Sequence, residues 1–485
     1  MSPERTEIPA SEAAAPPQRP TLTTKQLTGI IGVLALAAFV MILNETVLSV
    51  ALPGIMADLS VSAATGQWLT TGFLLTMSVV IPMTGFLIQR FQHRSLFMFA
   101  VLSFLVGTLF AVFAPNFSFV LIARVIQAIG TAIILPLLMT TTLSLVPIHK
   151  RGTVMGLNSI VIGVGPAIGP TVSGLIVHAW GWKYIFVLMV PLAVIMLVLG
   201  AIFMKVPSAS RKVPLDIASV ILSALAFGFL VYGISTIENA AENAVIMVIS
   251  FVIGLISLVL FIRRQTRLSS EGRELLNLSL FNSRLFTFAI LIIMITFGTM
   301  LGSVTIMPII LESGRGIDSL TIGLLLLPGG LAQAIVSPIF GNIFDKFGPR
   351  PVIIPGTIML AAGQWLYVSL DVTSALWVVV LSHVIFSIGV ALLMTGLMSS
   401  AMSSVEPRNF GHGSAIFNTA QQLGGAVGTT VMVTVMTLLA EEQLTQGSGI
   451  AEAFFSGAHV AFIIGACLAT IAVLLSPFIK ISARD

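Results

Sequence analysis

Two charged residues stand where an apolar chain should have none. Glu45 lies in the stretch MILNETVLSVALP, residues 41–53, within a run from Gly29 to Ala51 whose other residues could nearly all face lipid. Arg124 is the only lysine or arginine inside an apolar run. A charge in mid-membrane costs about 2.5–3.5 kcal/mol on insertion scales, so a chain that keeps one there usually uses it. The chemistry open to Glu45 is proton exchange: it can bind a proton on one side of a barrier and release it on the other. The competing reading is a structural acid, hydrogen-bonded or capped near the outer end of its helix. Arg124 falls at similar depth, so an ion pair forms if the two helices face each other. Protonating Glu45 would then free Arg124 and change the local field; otherwise the pair is a permanent bridge.

Uncharged polar residues in these and other apolar runs could hold a solute: Asn44, Gln127, Asn158, Asn418, Gln421 and Gln422. The last three are spaced i, i+3 and i+4 and share a helix face, which suits either adaptable contacts to varied solutes or hydrogen bonds between helices. Gly165, Gly169 and Ser173 form a small stripe, with Pro166 and Pro170 beside it and Gly174 next to its end. Such a stripe lets helices approach closely, and it could also close the two halves of a molecule against each other. Glu312, near Arg315 and Asp318, reads as a solvated loop charge or as a second proton or cation site. Asp216 reads as a helix cap, and His178 and His383 as structural. The chain has no Walker loop, metal-ligand cluster or nucleophile arrangement, so no enzyme, cofactor or metal is expected.

The elements that position these residues follow from composition. The 485 residues are 56% hydrophobic and 9% charged, with a mean hydropathy of +1.06. That excludes an ordinary soluble protein and fits an all-α membrane protein. About fourteen apolar runs, from 29–51 to 454–478, are long enough to cross a bilayer. With the N-terminus in the cytoplasm, fifteen of the 23 lysines and arginines fall in inner loops, three in the N-terminal tail and two in the C-terminal tail; only Lys183 and Arg315 fall outside. This bias places both termini in the cytoplasm. The net charge of +4 does not suggest a nucleic-acid partner, and one cysteine, Cys467, excludes an internal disulfide.

The chain is also duplicated. IPMTGFLIQRFQHR (Ile81–Arg94) and SPIFGNIFDKFGPR (Ser337–Arg350) align with Pro82 on Pro338, Gly85 on Gly341, Arg90 on Lys346, Phe91 on Phe347 and Arg94 on Arg350. Two six-helix halves related by parallel repeat are a transporter architecture. The expected organisation is a disordered tail over 1–28, an N-terminal six-helix bundle over 29–211 and two inserted helices over 212–264. A cytoplasmic linker with a short interfacial helix follows over 265–284, then a C-terminal six-helix bundle and short tail over 285–485.

With these residues in view, the chain resembles the major facilitator superfamily, specifically its 14-helix drug:proton antiporters of the lincomycin-resistance type. Four motifs carry the resemblance. The first helix matches at Leu43, Thr46, Val47, Val50, Ala51, Leu52 and Pro53, with Asn44 where the family has Asp and Glu45 one step on. The loop after helix 2 matches at Gly85, Leu87, Arg90 and Arg94, with Gln89 in place of Asp; its second copy retains Gly341, Asp345, Lys346, Gly348 and Arg350. Helix 4 matches at Arg124, Gln127 and Gly130, and helix 5 at Gly165, Pro166, Gly169, Pro170 and Gly174, the antiporter motif. The resemblance implies a multi-pass protein of the plasma membrane, the bacterial inner membrane, working as a monomer. It implies proton-coupled export of amphiphilic drugs or toxic compounds by alternating access, with the two glycine-rich loops latching the cytoplasmic gate. A proton-coupled metabolite importer, a lipid flippase and a non-transporting receptor are the alternatives.

Overall fold

The computed structural model describes residues 23–61, 63–205, 216–237, 240–271 and 273–479. Within these, the side chains of Pro166 and Pro170 lie outside the described residues, as do the expected tail over 1–22 and the expected boundary at 211–212.

Fourteen long helices account for nearly all of the described chain. The first six are α1 (Thr24–Asp58), α2 (Ala63–Arg90), α3 (His93–Val112), α4 (Phe117–Leu145), α5 (Arg151–Trp180) and α6 (Lys183–Phe203). A pair follows, α7 (Ile217–Ser235) and α8 (Ala240–Ser269). The last six are α9 (Arg284–Ile309), α10 (Ser319–Phe347), α11 (Arg350–Val368), α12 (Leu376–Ser403), α13 (Phe410–Thr445) and α14 (Ile450–Leu475). Thirteen carry a described window long and apolar enough to cross a membrane; α5 is the other.

Helix ends are set by caps and not by the limits of apolarity. Thr23 accepts from the Gln26 amide while the Gln26 side chain returns to the Thr23 amide. That capping box starts α1 at Thr24, inside the stretch expected to be tail. Asn116, Asp216, Ser283 and Asp318 cap α4, α7, α9 and α10 through their side chains. Gly181 and Gly348, both at positive φ, end α5 and α10. The expected linker from 265 is corrected in the same way: α8 continues to Ser269. The interfacial helix expected there is a short tight turn, Leu278–Asn282, with Leu280 buried together with Leu275 and Leu276.

Helices α1, α3, α4 and α6 enclose one core. A second core, within α9 and α11–α14, also takes in Phe86, Met139, Leu143 and Met155 of the first half. The two halves are therefore fused at one end, the end that carries Thr23 and Ile479, here called the inner end. Contacts between the halves run α5 to α10, α2 to α13, α12 to α5 and α13 to α4, while α7 packs on both α2 and α13.

Candidate functional site

Arg124 is buried to 1% exposure. Its Nε donates to the Leu69 carbonyl at 3.4 Å and its Nη1 to Gln127 Oε1 at 3.1 Å. The guanidinium also lies 4.0 Å from the centre of the Phe73 ring. Gln127 Oε1 accepts a second bond, 3.3 Å from Asn44 Nδ2, and Gln127 Nε2 donates to Thr108 Oγ1 at 2.9 Å. One arginine thus ties α1, α2, α3 and α4 together through hydrogen bonds and a ring face. Spreading a buried cation over an acceptor network and an aromatic quadrupole is how a low-dielectric site tolerates it.

Glu45 is not in that network. It is half-buried, and among the described residues no hydrogen bond or ion pair within 4 Å holds it. Its charge acts on Arg124 only through space. The direct ion pair considered from the sequence is therefore not formed, and the reason is helical geometry. Consecutive residues are about 100° apart around a helix, so when Asn44 faces Gln127, Glu45 cannot. Asn44 and Gln127, expected in a solute cavity, serve the arginine network instead.

The other cavity candidates divide by depth. Asn158 is buried, donates to Thr142 Oγ1 at 3.0 Å, and leaves its Oδ1 without a partner. Asn418 donates to Ser414 of its own helix. Gln421 Nε2 lies 3.8 Å from Met394 Sδ. Gln422 is half-buried, with Nε2 at 3.8 Å from Met77 Sδ of the other half. Around them Thr140 bonds Ser414 and Thr395 bonds Ser159, again across the halves. These hydroxyls and amides lie between the middle and the inner end, and the structure does not gather the six candidates into one pocket.

The small stripe on α5 packs against α1. A Cβ on Gly169 would strike Thr46 Oγ1, one on Gly165 would sit 2.8 Å from Ile42 Cγ2, and Ser173 donates to the Val47 carbonyl at 2.7 Å. Both helices belong to the same half, so the stripe does not close one half on the other, as one reading of the sequence had it. Gly174 is corrected as well: a Cβ there meets nothing within 4 Å. The contact between halves on α5 includes its first turns. Gly152 faces Gly341, and Gly156 faces Ser337 and Pro338. Sequence reasoning missed Gly152, Thr153 and Gly156, although two glycines four apart were a usable signal.

Around that contact the repeated loops do different work. Asp345 is the acceptor for both the Gly152 and Thr153 amides and for the Thr153 hydroxyl. Gly85 meets Gly411 and His412 at the start of α13. Arg94 donates to the Ala201 carbonyl near the end of α6 at 3.0 Å. Arg90 is half-buried, and Lys346 and Arg350 are exposed at the inner end. Glu312 is exposed in the wide turn Ile310–Gly314. His383 is buried against the Tyr367 hydroxyl at 2.8 Å, in keeping with its structural reading.

A family model described as Major Facilitator Superfamily matches residues 34–429. The chain is 39% identical to an uncharacterized MFS-type transporter, YcnB, of Bacillus subtilis, over 93% of this chain and 94% of that one. It is 36% identical to the lincomycin resistance protein LmrB of Listeria monocytogenes, over 93% and 96%. Among solved structures, that of the human organic anion transporter MFSD10 superposes with a TM-score of 0.67 at 14% identity, covering 93% and 99%. The duplicated bundle, the apolar spans and these likenesses agree: the chain belongs to the major facilitator superfamily and is a multi-pass transporter of the plasma membrane.

Proposed function

We propose that this transporter exports amphiphilic drugs or toxic compounds in exchange for protons, by rocking its halves, 29–211 and 285–485, about a site near the bilayer midplane. The observation that carries the reading is Glu45: an acid within a membrane span, held by no hydrogen bond or ion pair among the described residues, in the field of the fully buried Arg124. An acid already engaged in a bridge would have to break it to exchange protons, whereas Glu45 has no such bond among the described residues. Its protonation removes a negative charge beside a network that reaches α1, α2, α3 and α4, so the arginine's surroundings change with proton occupancy. The driving force suffices, since about 2.3 kcal/mol per charge per 100 mV exceeds a tenfold concentration ratio. The named resistance of the LmrB relatives favours export over import. The polar groups Asn158, Asn418, Gln421 and Gln422 would contact the solute as the inner side opens. The transporter acts as a monomer, with its termini in the cytoplasm of a bacterial cell.

The test is dye efflux from energised vesicles, together with a drug-susceptibility panel in a pump-deficient cell, for wild type and Glu45→Gln. Efflux should collapse on adding a protonophore, and Glu45→Gln should lose extrusion against a gradient while still exchanging solute down one. Uptake driven by the same gradient would mean an importer. Lipid scrambling without solute movement would mean a flippase, and an intact ligand signal with no transport a receptor. Uphill extrusion by Glu45→Gln at the wild-type rate and pH dependence would end the proton-exchange assignment.

A further inference from the structure

The duplication builds two equivalent latches at the inner end, and they are unequal. On one side the end of α10 meets the first turn of α5, and Asp345 takes three bonds there, at 2.6 to 2.7 Å. On the other the end of α2 meets the first turn of α13. Glycines meet there too: a Cβ on Gly85 would sit 3.2 Å from the Gly411 carbonyl and 3.1 Å from His412 Cα. The polar clasp is weak, however. Gln89 stands where the repeat has Asp345, and its amide makes one bond of 3.4 Å to the Arg408 carbonyl. His412 stands where α5 has Thr153, one residue past the glycine; it is buried, and its Nδ1 has no partner among the described residues.

A segment with no counterpart in the repeat abuts this weak side. Leu275 and Leu276 lie in the same buried core as Phe86 of α2 and Phe410 of α13. Leu275 and Leu276 are buried, and their amides both donate to Gln265 Oε1, at 2.6 and 3.2 Å. Gln265 is itself fully buried on α8, and its Nε2 donates to Ser219 of α7 at 2.7 Å. Ser219 in turn donates to Asp216, which Arg264 holds with two bonds of 2.7 Å. Farther out, α7 lies on α2, with Trp68 and Tyr232 rings 5.8 Å apart. A loop would normally be the most mobile part of such a gate. Here one buried glutamine clamps it to the inserted helices ten residues before it.

We propose that α7, α8 and the segment after them form the second clasp of the inner gate. Gln265 is its positioning residue, holding Leu275 and Leu276 in the core they share with Phe86 of α2 and Phe410 of α13, and so keeping α13 on α2. The inserted pair thereby supplies what the altered first loop lacks. The inference rests on the alternating-access reading but needs no substrate to test.

Spin labels at Phe91 and Arg408, in a Cys467→Ser background in lipid nanodiscs, report the α2–α13 separation; labels at Lys150 and Lys346 report the α5–α10 side. Gln265→Leu keeps the bulk but accepts nothing. It should raise the ratio of long to short Phe91–Arg408 distances about tenfold, as expected for two lost hydrogen bonds, with a smaller change on the α5–α10 side. Gln265→Glu retains the acceptor and should restore the short distance. Because coupling between two sites is reciprocal, opening the gate by Asp345→Asn should also speed hydrogen exchange at the Leu275 and Leu276 amides, a readout that does not depend on how Gln265→Leu folds. Wild-type distances in Gln265→Leu, or unchanged exchange at those amides while Asp345→Asn lengthens the label distances, would overturn the proposal. Failure of Asp345→Asn to lengthen either distance would count against alternating access itself.

Discussion

Asp345 and Thr153 join the two halves twice: the Thr153 amide and the Thr153 hydroxyl both donate to Asp345 Oδ2, each at 2.7 Å. Asp345 Oδ1 accepts a third bond from the Gly152 amide at 2.6 Å. These are the free donors of the first turn of α5, so a carboxylate from one half caps a helix of the other. Bonds to a charged acceptor are short and strong. They also require the halves to sit within glycine distance, because a Cβ on Gly341 would strike the Gly152 carbonyl. The cross-half hydrogen bonds described above run from mid-depth to this end, so the halves are closed on each other there.

Replacing Asp345 with Asn should loosen that closure. The amide oxygen can accept, but it carries no charge to meet the helix terminus. Hydrogen bonds to charged groups contribute roughly 1.5–3 kcal/mol, so the inward-open population should rise at least about tenfold. Distance measurements between labels at Lys150 and Lys346 would register it, and an unchanged distribution would count against the latch.

The arginine network makes a sharper demand. Gln127→Leu removes the acceptor of Arg124 Nη1, deprives Asn44 Nδ2 of its bond and leaves Thr108 only its bond to the Phe104 carbonyl. Breaking the support of a buried charge costs about 3–5 kcal/mol. The variant should melt many degrees below wild type in detergent or fail to stay monodisperse. Gln127→Glu keeps an acceptor for Arg124 and should be far milder. Equal losses from the two would show that volume alone matters at this position.

On α5, Gly169→Val should separate α1 from α5, since even a first side-chain carbon would strike Thr46 Oγ1. Overpacking of this kind costs about 1–3 kcal/mol. Gly174→Ala, five residues on and facing open space, should be tolerated. A thermal-shift comparison of the two separates packing from membership of the sequence motif.

The inserted pair carries a pH signature. The two bonds from Arg264, aided by Ser219, hold the Asp216 carboxyl well below its ordinary value of 3.8. A folded carboxyl depressed in this way stabilises the protein above the unfolded value, and the benefit is lost as pH falls below it, because the unfolded state then binds the proton more readily. Asp216→Asn should therefore melt below wild type at pH 6, and the gap should narrow as the pH is lowered through 4 towards 3. A gap that stays constant over that range would remove the pair from the account.

Much of the architecture was legible in order. Apolar runs of membrane length are a one-dimensional signal, and they led to a chain of fourteen long helices. Helix ends were less legible. Thr23 and Gln26 extend α1, and α8 runs on to Ser269, because capping and packing decide where a helix stops, and hydropathy registers only where apolarity stops. The embedded acid and arginine were likewise visible as residues out of place in lipid.

What the order of residues could not decide was which side chain faces which. Neighbours on a helix point about 100° apart, so only the packed bundle could place Asn44 in the arginine network and leave Glu45 outside it. Distance along the chain likewise hides contact across it. Asp345 meets Thr153 from 192 positions away, and the Gly165–Gly169 stripe faces α1 of its own half. The chain set the kinds of residue and their depth, since both follow from transfer between water and lipid. The fold set their partners, since those depend on how rigid helices rotate and cross.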